Sequence, residues 1–254
     1  MLLKFMLEKK LIIFDLDGTL AESKSEMDFK MAKLLEELLK VKFVAVMSGG
    51  KYQQFQKQFL KSLNCQKQLL KKLYLFPTCA TQFYKFDSQW AKIYSEELTK
   101  DEKEKIIDSF HKVFKDINYQ APKEIYGEVL EDRLSQITFS ALGQEAPTKE
   151  KEKWDPKQTK RLEITNILIN YLPEMEIKIG GTTSIDVTKK GIDKAYGIRQ
   201  IEKYLKFKKS EMIFIGDALF EGGNDEPVKK EGVDCIAIKS PEDTKQIIKS
   251  MIEN

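Results

Sequence analysis

The most constraining feature of this sequence is a short apolar run that ends abruptly in acidic residues. Leu11–Phe14 has no polar side chain and leads directly into D-L-D-G-T at residues 15–19. A continuous apolar run of this length is typical of a strand that is buried on both faces of a parallel sheet. Ligands of open α/β sheets bind beyond the carboxyl ends of the strands. The run therefore predicts a binding site beside Asp15 and Asp17.

The same pattern recurs elsewhere in the chain. Phe43–Met47 is apolar up to Ser48, and Met212–Ile215 is apolar up to Gly216 and Asp217. Four further segments have the spacing of helices or buried strands: helices at Met27–Leu39, Lys194–Leu205 and Pro241–Ile252, and a strand at Cys235–Ile238. This alternation of strands and helices predicts an α/β fold with a doubly wound, Rossmann-like parallel sheet.

The middle of the chain has a different pattern, with strand-like segments following one another. We expect a hairpin at 82–86 and 90–94, helices at 100–115 and 157–172, an exposed loop at 144–160, and strands at 124–130, 134–141, 176–179 and 184–187. These elements predict an antiparallel sheet with two helices, inserted as an α+β domain. The sequence thus predicts a core of residues 1–81 and 189–254 and an insert of residues 82–188.

Composition and charge exclude several classes of protein. The 43 basic and 40 acidic residues are spread along the chain and give a net charge of +3, unlike the basic patches of nucleic-acid binders. The three cysteines lack the spacing of a disulfide framework or a zinc site. Charged residues interrupt the apolar N-terminal run of residues 1–14, which excludes a membrane span. We expect a soluble, cytoplasmic monomer or homodimer with no nucleic-acid or membrane partner.

The two aspartates of the first motif have the chemistry needed for phosphoryl transfer. Asp15 can attack phosphorus as a nucleophile and form an aspartyl-phosphate. Asp17 can protonate the leaving oxygen and later activate water. A carboxylate is repelled by a phosphate dianion, so we expect Mg²⁺ between them, bound by Asp15, Asp17 and Asp217. Asn224 and Asp225 follow Asp217 closely, and we expect them to support the metal site.

Two further elements could hold the phosphoryl group. Ser48 and Gly49 follow a buried strand and could offer a hydroxyl and backbone N–H groups, although a serine that caps a helix fits the same pattern. A lysine after the insert could neutralise Asp15 in the transition state. Lys189, Lys190 and Lys194 all satisfy this requirement.

Together these elements resemble the haloacid dehalogenase-like superfamily, whose motifs are D-x-D-G-T, a strand ending in serine or threonine, a lysine, and G-D with a further acid. All four occur here in the family's order. The resemblance implies a type IIB cap for the insert, which supplies substrate specificity. It also selects Lys194, within G-I-D-K at residues 191–194, as the catalytic lysine.

A closer resemblance is to the eukaryotic-type phosphomannomutases and related sugar-phosphate phosphatases. The stretch G-D-A-L-F-E-G-G-N-D at residues 216–225 is similar to their G-D-x-x-x-x-G-G-N-D, and S-I-D-V at residues 184–187 is similar to their S-x-D-V. The resemblance implies that Ser184 and Asp186 face sugar hydroxyls and that Arg133 meets the distal phosphate. One departure is Gln144, which stands where these mutases have an arginine.

These observations favour a magnesium-dependent phosphatase that acts on a small phosphorylated metabolite, with a sugar phosphate as the expected substrate. A phosphomannomutase that interconverts hexose 6- and 1-phosphates is the alternative. The missing arginine disfavours it, because a mutase must hold a bisphosphate at either end. A non-enzymatic, phospho-accepting signalling module is a third alternative. It is disfavoured because such modules lack an insert of about a hundred residues.

Overall fold

The structure, a computed structural model, describes residues 6–23 and 25–253. The first five residues of the apolar N-terminal run therefore lie outside the described part. The chain separates into two compact units. The first contains the chain up to Ser95 and again from Asp193, and the second contains Glu96–Ile192. No helix among the described residues is long and apolar enough to cross a membrane.

Strands and helices alternate over most of the described chain. The strands are β1 (Leu11–Phe14), β2 (Phe43–Met47), β3 (Leu73–Phe76), β4 (Gln82–Phe86), β5 (Trp90–Ser95), β6 (Leu130–Asp132), β7 (Ile137–Ser140), β8 (Met175–Gly180), β9 (Ser184–Lys189), β10 (Met212–Gly216) and β11 (Asp234–Ala237). The helices are α1 (Phe29–Val41), α2 (Tyr52–Phe55), α3 (Lys67–Leu70), α4 (Lys100–Asp116), α5 (Thr148–Trp154), α6 (Thr159–Tyr171), α7 (Lys194–Leu205), α8 (Glu226–Lys230) and α9 (Pro241–Ile252). A π-helical turn, Gln56–Leu60, continues α2.

The first unit is built on a seven-stranded sheet with the order β11-β10-β1-β2-β3-β4-β5. The five strands from β11 to β3 are parallel, β4 pairs antiparallel with β3, and β5 pairs antiparallel with β4. Strand β1, the middle one of the five parallel strands, pairs with β2 and β10, so Phe14 lies between Val46 and Ile215. The residues that follow these three strands consequently emerge at one edge of the sheet.

Both faces of this sheet are covered by helices, which explains why its central strands are apolar throughout. Ile12 and Phe14 of β1 pack with residues of α1 and α9, whereas Leu11 and Ile13 pack with Ile198 of α7. Alternate side chains of a strand point to opposite faces, so both sets must be apolar. The predicted α/β fold with a doubly wound parallel sheet is confirmed.

The predicted boundary of the insert was wrong at its N-terminal side. The hairpin formed by β4 and β5 was assigned to the insert, but β4 pairs with β3 of the first sheet. The second unit begins only at Glu96. The hairpin was misplaced because β3 was not predicted, so the sequence offered no strand of the first sheet beside it. At the other end, the second unit extends to Ile192 rather than residue 188.

The second unit has a four-stranded antiparallel sheet with the order β6-β7-β9-β8. Helices α4 and α6 pack against one face through Phe110 and Leu168, which meet Ile137 and Phe139 of β7 in one apolar cluster. The alternate residues of β7 and β9 are polar. On this polar face Thr138 pairs with Asp186 and Ser140 pairs with Ser184.

Two predictions within the second unit were wrong in detail. The segment predicted as a strand at 124–130 joins the sheet only from Leu130. The loop predicted at 144–160 contains α5, and its Lys151 and Asp155 are buried. Asp155 is buried because its carboxylate accepts hydrogen bonds from the guanidinium and backbone N–H of Arg161, a pairing over six residues that the charge pattern alone does not reveal.

Candidate active site

Asp15 and Lys194 form a buried ion pair at the edge where β1 ends. The backbone N–H of Asp15 donates to the carbonyl of Ile215 at 3.0 Å, which fixes the residue beside β10. Lys194 Nζ donates to Asp15 Oδ1 at 2.6 Å and also to Asp225 Oδ1. The three side chains are at most 7% exposed. The ammonium group is therefore held between two carboxylates without access to water.

Lys194 is positioned by the start of helix α7, of which it is the first residue. The preceding residue, Asp193, caps the helix, because its side chain accepts a hydrogen bond from the Tyr196 N–H at 2.9 Å. Of the three lysines left open by the sequence, Lys194 is the one that contacts Asp15. Lys189 pairs with Glu102 in the second unit, and Lys190 donates to the carbonyl of Pro173.

The electrostatics of the pair are dominated by burial and by the two acids. Burial raises the pKa of Asp15 to about 8, even though Lys194 acts in the opposite direction. Burial alone would lower the pKa of Lys194, but the charges of Asp15 and Asp225 raise it above its ordinary value. Lys194 therefore stays charged at neutral pH, and its single positive charge is shared by the carboxylates of Asp15 and Asp225.

Asp217 lies close to the first motif. An oxygen from each of Asp15, Asp217 and Asp225 lies within 4.8 Å of the others. A Cβ atom added to Gly18 would be 2.5 Å from Asp217 Oδ2, so the carboxylate packs directly against the backbone of the D-L-D-G-T loop. Gly18 also has a φ of +79°, which favours glycine.

This acidic cluster fits a divalent metal ion. Loss of solvent and the charge of Asp225 raise the pKa of Asp217, as burial does for Asp15. Both shifts mean that the ionised carboxylates are disfavoured until a further cation joins them. Carboxylate oxygens are the ligands that Mg²⁺ prefers. The donor set of Asp15, Asp217 and Asp225 thus has the chemistry to hold a divalent metal ion.

Asp225 is bound more tightly than the sequence suggested. Its Oδ2 accepts a hydrogen bond from the backbone N–H of Ala218 at 3.1 Å, and its Oδ1 accepts from Lys194. It is fully buried, whereas its neighbour Asn224 is exposed. Asp225 therefore ties the loop after β10 to Lys194, and the supporting role predicted for Asn224 stays a prediction.

The carboxylate of Asp17 is held by two glutamines that the sequence analysis missed. Gln58 Nε2 donates to Asp17 Oδ1 at 2.9 Å, and Gln54 Nε2 donates to Oδ2 at 3.2 Å. The two glutamines are four residues apart, on one face of α2 and its π-helical continuation. That spacing, just after the Ser48 loop, was the available signal. Metal binding by Asp17 stays a prediction.

Ser48 does not cap a helix, which removes the competing explanation for it. Helix α2 begins at Tyr52, and the residue that occupies its capping position is Lys51, whose side chain does not cap the helix. Ser48 is buried, and its Oγ accepts from the N–H of Gly50 at 3.1 Å. The roles predicted for Ser48 and Gly49 in phosphoryl binding stay predictions.

The turn after β3 braces the Ser48 loop. The N–H of Cys79 donates to the carbonyl of Ser48 at 3.0 Å, and the N–H of Thr78 donates to the carbonyl of Gly50 at 2.9 Å. Thr78, Cys79 and Ala80 all have positive φ angles. This conformation is strained for residues other than glycine. The backbone is thus strained in the turn that holds the Ser48 loop in place.

The predicted substrate-binding residues Arg133, Ser184 and Asp186 all lie in the second unit. Ser184 and Asp186 are on the polar face of its sheet. Arg133 Nε donates to Glu131 Oε2 at 2.7 Å, and both side chains are largely buried. Glu131 precedes Arg133 by two residues, the same-face spacing of a strand, but the sequence analysis did not connect them. Their substrate-binding roles stay predictions.

Comparison with protein families decides to which family the chain belongs. A model described as eukaryotic phosphomannomutase matches residues 31–254. The chain belongs to this family. A phosphomannomutase of Encephalitozoon cuniculi is 30% identical over 252 residues, which cover 93% of this chain and 91% of that protein. A phosphomannomutase of Spinacia oleracea is 29% identical over 242 residues, which cover 91% of each.

Solved structures support the fold of this phosphomannomutase-family chain. A C-terminally truncated Plasmodium falciparum IMP-nucleotidase is similar with a TM-score of 0.73 and 20% identity, covering 99% of this chain and 74% of that chain. A haloacid dehalogenase-like hydrolase of Bacteroides thetaiotaomicron has a TM-score of 0.61 and 14% identity, covering 95% and 98%. These solved structures confirm the predicted haloacid dehalogenase-like fold. The family match confirms the predicted resemblance to the eukaryotic-type phosphomannomutases, and the chain is an enzyme.

Proposed function

We propose that this enzyme is a magnesium-dependent phosphatase of small phosphorylated sugars that works through an aspartyl-phosphate on Asp15. The observation that carries the proposal is the buried contact between Asp15 Oδ1 and Lys194 Nζ, at the edge of the sheet where Asp217 and Asp225 also lie. A buried carboxylate with a fixed cation beside it is suited to attack an anionic phosphoryl group.

The reaction has two steps. An oxygen of Asp15 bonds to phosphorus as the bond to the substrate oxygen breaks, and Asp17 gives its proton to that leaving oxygen. Asp17 then takes a proton from water, the water oxygen bonds to phosphorus, and the bond to Asp15 breaks. Phosphate leaves and Asp15 is regenerated. Lys194 stays protonated and offsets the charge that builds up on the phosphoryl oxygens.

Asp15, Asp217 and Asp225 are the residues that we expect to hold the metal, together with the backbone carbonyl of Asp17. When bound, Mg²⁺ reduces the repulsion between the nucleophile and the phosphoryl oxygens. Ser48 and the backbone around Gly49 are assigned to the phosphoryl oxygens. In the second unit, Ser184 and Asp186 are assigned to sugar hydroxyls, and Arg133 to a distal anionic group of the substrate.

The use of arginine supports hydrolysis over phosphomutase chemistry. The chain has three arginines. Arg161 is buried in its pair with Asp155, Arg199 pairs with Glu231, and Arg133 pairs with Glu131. Arg161 and Arg199 are thus held by carboxylates, so Arg133 is the one guanidinium group that we assign to the substrate, and Gln144 supplies no second charge. A mutase must retain a doubly anionic bisphosphate while it turns over, and bidentate arginine contacts are the usual means.

A phosphomannomutase is the second candidate, and family membership favours it. The relatives at 29–30% identity are named phosphomannomutases. The same residues would carry the first half of the reaction, with a second hexose phosphate hydroxyl replacing water as the acceptor. The two candidates differ in the fate of the phosphoryl group and in their need for a hexose bisphosphate activator.

One experiment separates the candidates. The purified protein is incubated with mannose 1-phosphate and Mg²⁺, with and without a hexose 1,6-bisphosphate, and free phosphate and hexose 6-phosphate are measured together. A phosphatase releases phosphate without the activator and forms little hexose 6-phosphate. Formation of hexose 6-phosphate faster than phosphate release, only with the activator, would replace our proposal with the mutase.

We also propose a cytoplasmic location. The three cysteines, Cys65, Cys79 and Cys235, are odd in number and far apart in the sequence, which favours a reducing compartment. A monomer or homodimer is the expected assembly, which size-exclusion chromatography with light scattering would test.

A further inference from the structure

The polar face of the second unit contains a buried chain of hydrogen bonds that ends at Asp186. Thr138 of β7 stands opposite Asp186 of β9, and Thr138 Oγ1 donates to Asp186 Oδ1 at 2.7 Å. Gln136 Nε2 donates in turn to Thr138 Oγ1 at 2.8 Å. The side chains of Gln136 and Thr138 are inaccessible to solvent.

The direction of these hydrogen bonds is fixed by chemistry. An ionised carboxylate can only accept, so the hydroxyl proton of Thr138 must point to Asp186. A lone pair of Thr138 Oγ1 then faces Gln136, which must present its NH₂ group. This leaves the other amide atom, Gln136 Oε1, buried without a hydrogen-bond partner among the described residues. The arrangement favours one orientation of each group.

The second carboxylate oxygen of Asp186 is confined from the other side. A Cβ atom added to Gly180, on the neighbouring strand β8, would be 2.7 Å from Asp186 Oδ2. Asp186 can thus lie close to the backbone of β8 only because residue 180 is a glycine. One oxygen is held by a hydroxyl and the other lies against a strand, so the plane of the carboxylate is determined.

Such a chain of polar groups is costly for a merely structural purpose. Burying an amide with one atom unpaired is unfavourable, and apolar residues at Gln136 and Thr138 would pack at less cost. The polar residues instead keep a partly exposed carboxylate in a fixed position. Asp186 then offers an acceptor in a defined direction, which suits a ligand that donates hydrogen bonds.

We propose that Thr138 and Gln136 are positioning residues that orient Asp186 to accept a hydrogen bond from a substrate hydroxyl, and so make the enzyme select hydroxyl-bearing phosphate esters. This inference rests on the proposed phosphatase activity. Neither residue contacts the reacting atoms in this scheme. They act on the recognition of the alcohol part of the substrate and leave the chemistry at phosphorus unchanged.

The test compares Thr138→Val with Thr138→Ser, because valine keeps the shape and loses the hydroxyl. Each variant is assayed with a hexose phosphate and with p-nitrophenyl phosphate, which has no alcohol hydroxyl. We expect Thr138→Val to lower kcat/KM for the hexose phosphate about tenfold, mainly through KM, in line with the loss of a hydrogen bond to a charged group. The kcat/KM for p-nitrophenyl phosphate should stay within about twofold of the wild-type value. Thr138→Ser should restore the wild-type selectivity, that is, the ratio of kcat/KM for the hexose phosphate to kcat/KM for p-nitrophenyl phosphate.

Gly180→Ala provides a second, independent perturbation, since it displaces Asp186 from the opposite side. Because the orientation of Asp186 determines recognition of the hexose in this proposal, the substitution should lower the selectivity for hexose phosphate in the same way as Thr138→Val. Thr165→Val is the matched control, because the hydroxyl of Thr165 is bonded to the carbonyl of Leu162 in helix α6. Its selectivity should equal that of the wild type.

A failure of the role inferred for Thr138 and Gln136 can be told apart from a failure of the proposed phosphatase activity. If the wild-type enzyme hydrolyses p-nitrophenyl phosphate but no hexose phosphate, the proposed sugar-phosphate function fails. If the wild-type enzyme hydrolyses hexose phosphates and Thr138→Val and Gly180→Ala keep its selectivity, the function stands and the inference is overturned. An equal loss on both substrates would also overturn the inference, because it would show a general structural role.

Discussion

Lys194 Nζ lies 2.6 Å from Asp15 Oδ1, although 178 residues separate them in the sequence. The contact exists because Asp15 directly follows β1 and Lys194 begins helix α7, which packs on the same sheet. Burial makes both groups depend on each other. Neither charge is acceptable there alone.

Lys194→Met should destabilise the protein as well as abolish its activity. The substitution leaves Asp15 and Asp225 buried without their cation, and breaking a buried pair in this way costs about 3–5 kcal/mol. The free energy of unfolding measured in urea at pH 9, where Asp15 is ionised, should fall by that amount. Because a protonated carboxyl group needs no cation and the pKa of Asp15 is about 8, the loss should shrink at pH 6. A loss that is the same at both pH values would contradict this account of the pair.

Magnesium should stabilise the protein more strongly at pH 8 than at pH 6. Burial raises the pKa of Asp15 to about 8 without metal, so folding favours its protonated form. The stability from this group is present at low pH and is lost as the pH rises through the folded pKa. Mg²⁺ binds the ionised form and compensates for that loss. Melting temperatures with and without Mg²⁺ across this pH range check the prediction.

The controls for the magnesium prediction are two acid-to-amide substitutions. Asp217→Asn removes a carboxylate of the cluster and should abolish most of the stabilisation by Mg²⁺. Asp87→Asn changes an exposed acid at the tip of the β4–β5 hairpin and should behave as the wild type. Equal stabilisation of both variants would place the metal elsewhere.

Removal of the glutamine contacts to Asp17 should slow catalysis without unfolding the protein. Gln58→Leu loses the shorter of the two hydrogen bonds, so the Asp17 carboxylate is less well held. We expect kcat to fall about tenfold, less than the 10²–10⁴-fold contribution of a general acid or base that Asp17→Asn would remove. Steady-state kinetics of phosphate release measure both. Gln53→Leu is the neighbouring control, and an equal effect there would argue against a specific contact.

Cys79→Gly should stabilise the first unit. Cys79 has a φ of +53°, where a side chain costs about 1–2 kcal/mol and glycine costs none. The greater freedom of glycine in the unfolded chain returns about 0.4–1 kcal/mol of that gain. We expect a net gain of roughly 0.5–1 kcal/mol in urea unfolding. Cys79→Ala removes the thiol but keeps the strain, so a gain of equal size there would contradict the explanation.

The first sheet and its site were largely predictable because both depend on local signals. An apolar run that ends in Asp15 indicates strand and site together, and helix α7 was predicted with its observed ends, Lys194 and Leu205. The features that were missed depend on tertiary partners. Gln82–Phe86, the first strand of the hairpin, has the alternating side-chain pattern of a strand in either sheet. Only its pairing with β3 assigns it to the first sheet. The spacing of Gln54 and Gln58 places both on one helix face, but that their partner is Asp17 becomes known only from the fold.

The central claim is that Asp15 carries the phosphoryl group, and trapping the intermediate tests it most directly. In Asp17→Asn, p-nitrophenyl phosphate should still phosphorylate the enzyme, because its leaving group needs no proton, while hydrolysis stalls without the base. We predict a burst of one p-nitrophenolate per active site and, by peptide mass spectrometry after hydroxylamine treatment, a hydroxamate on Asp15. A burst with the label on another residue, or a burst that persists in Asp15→Asn combined with Asp17→Asn, would contradict the account.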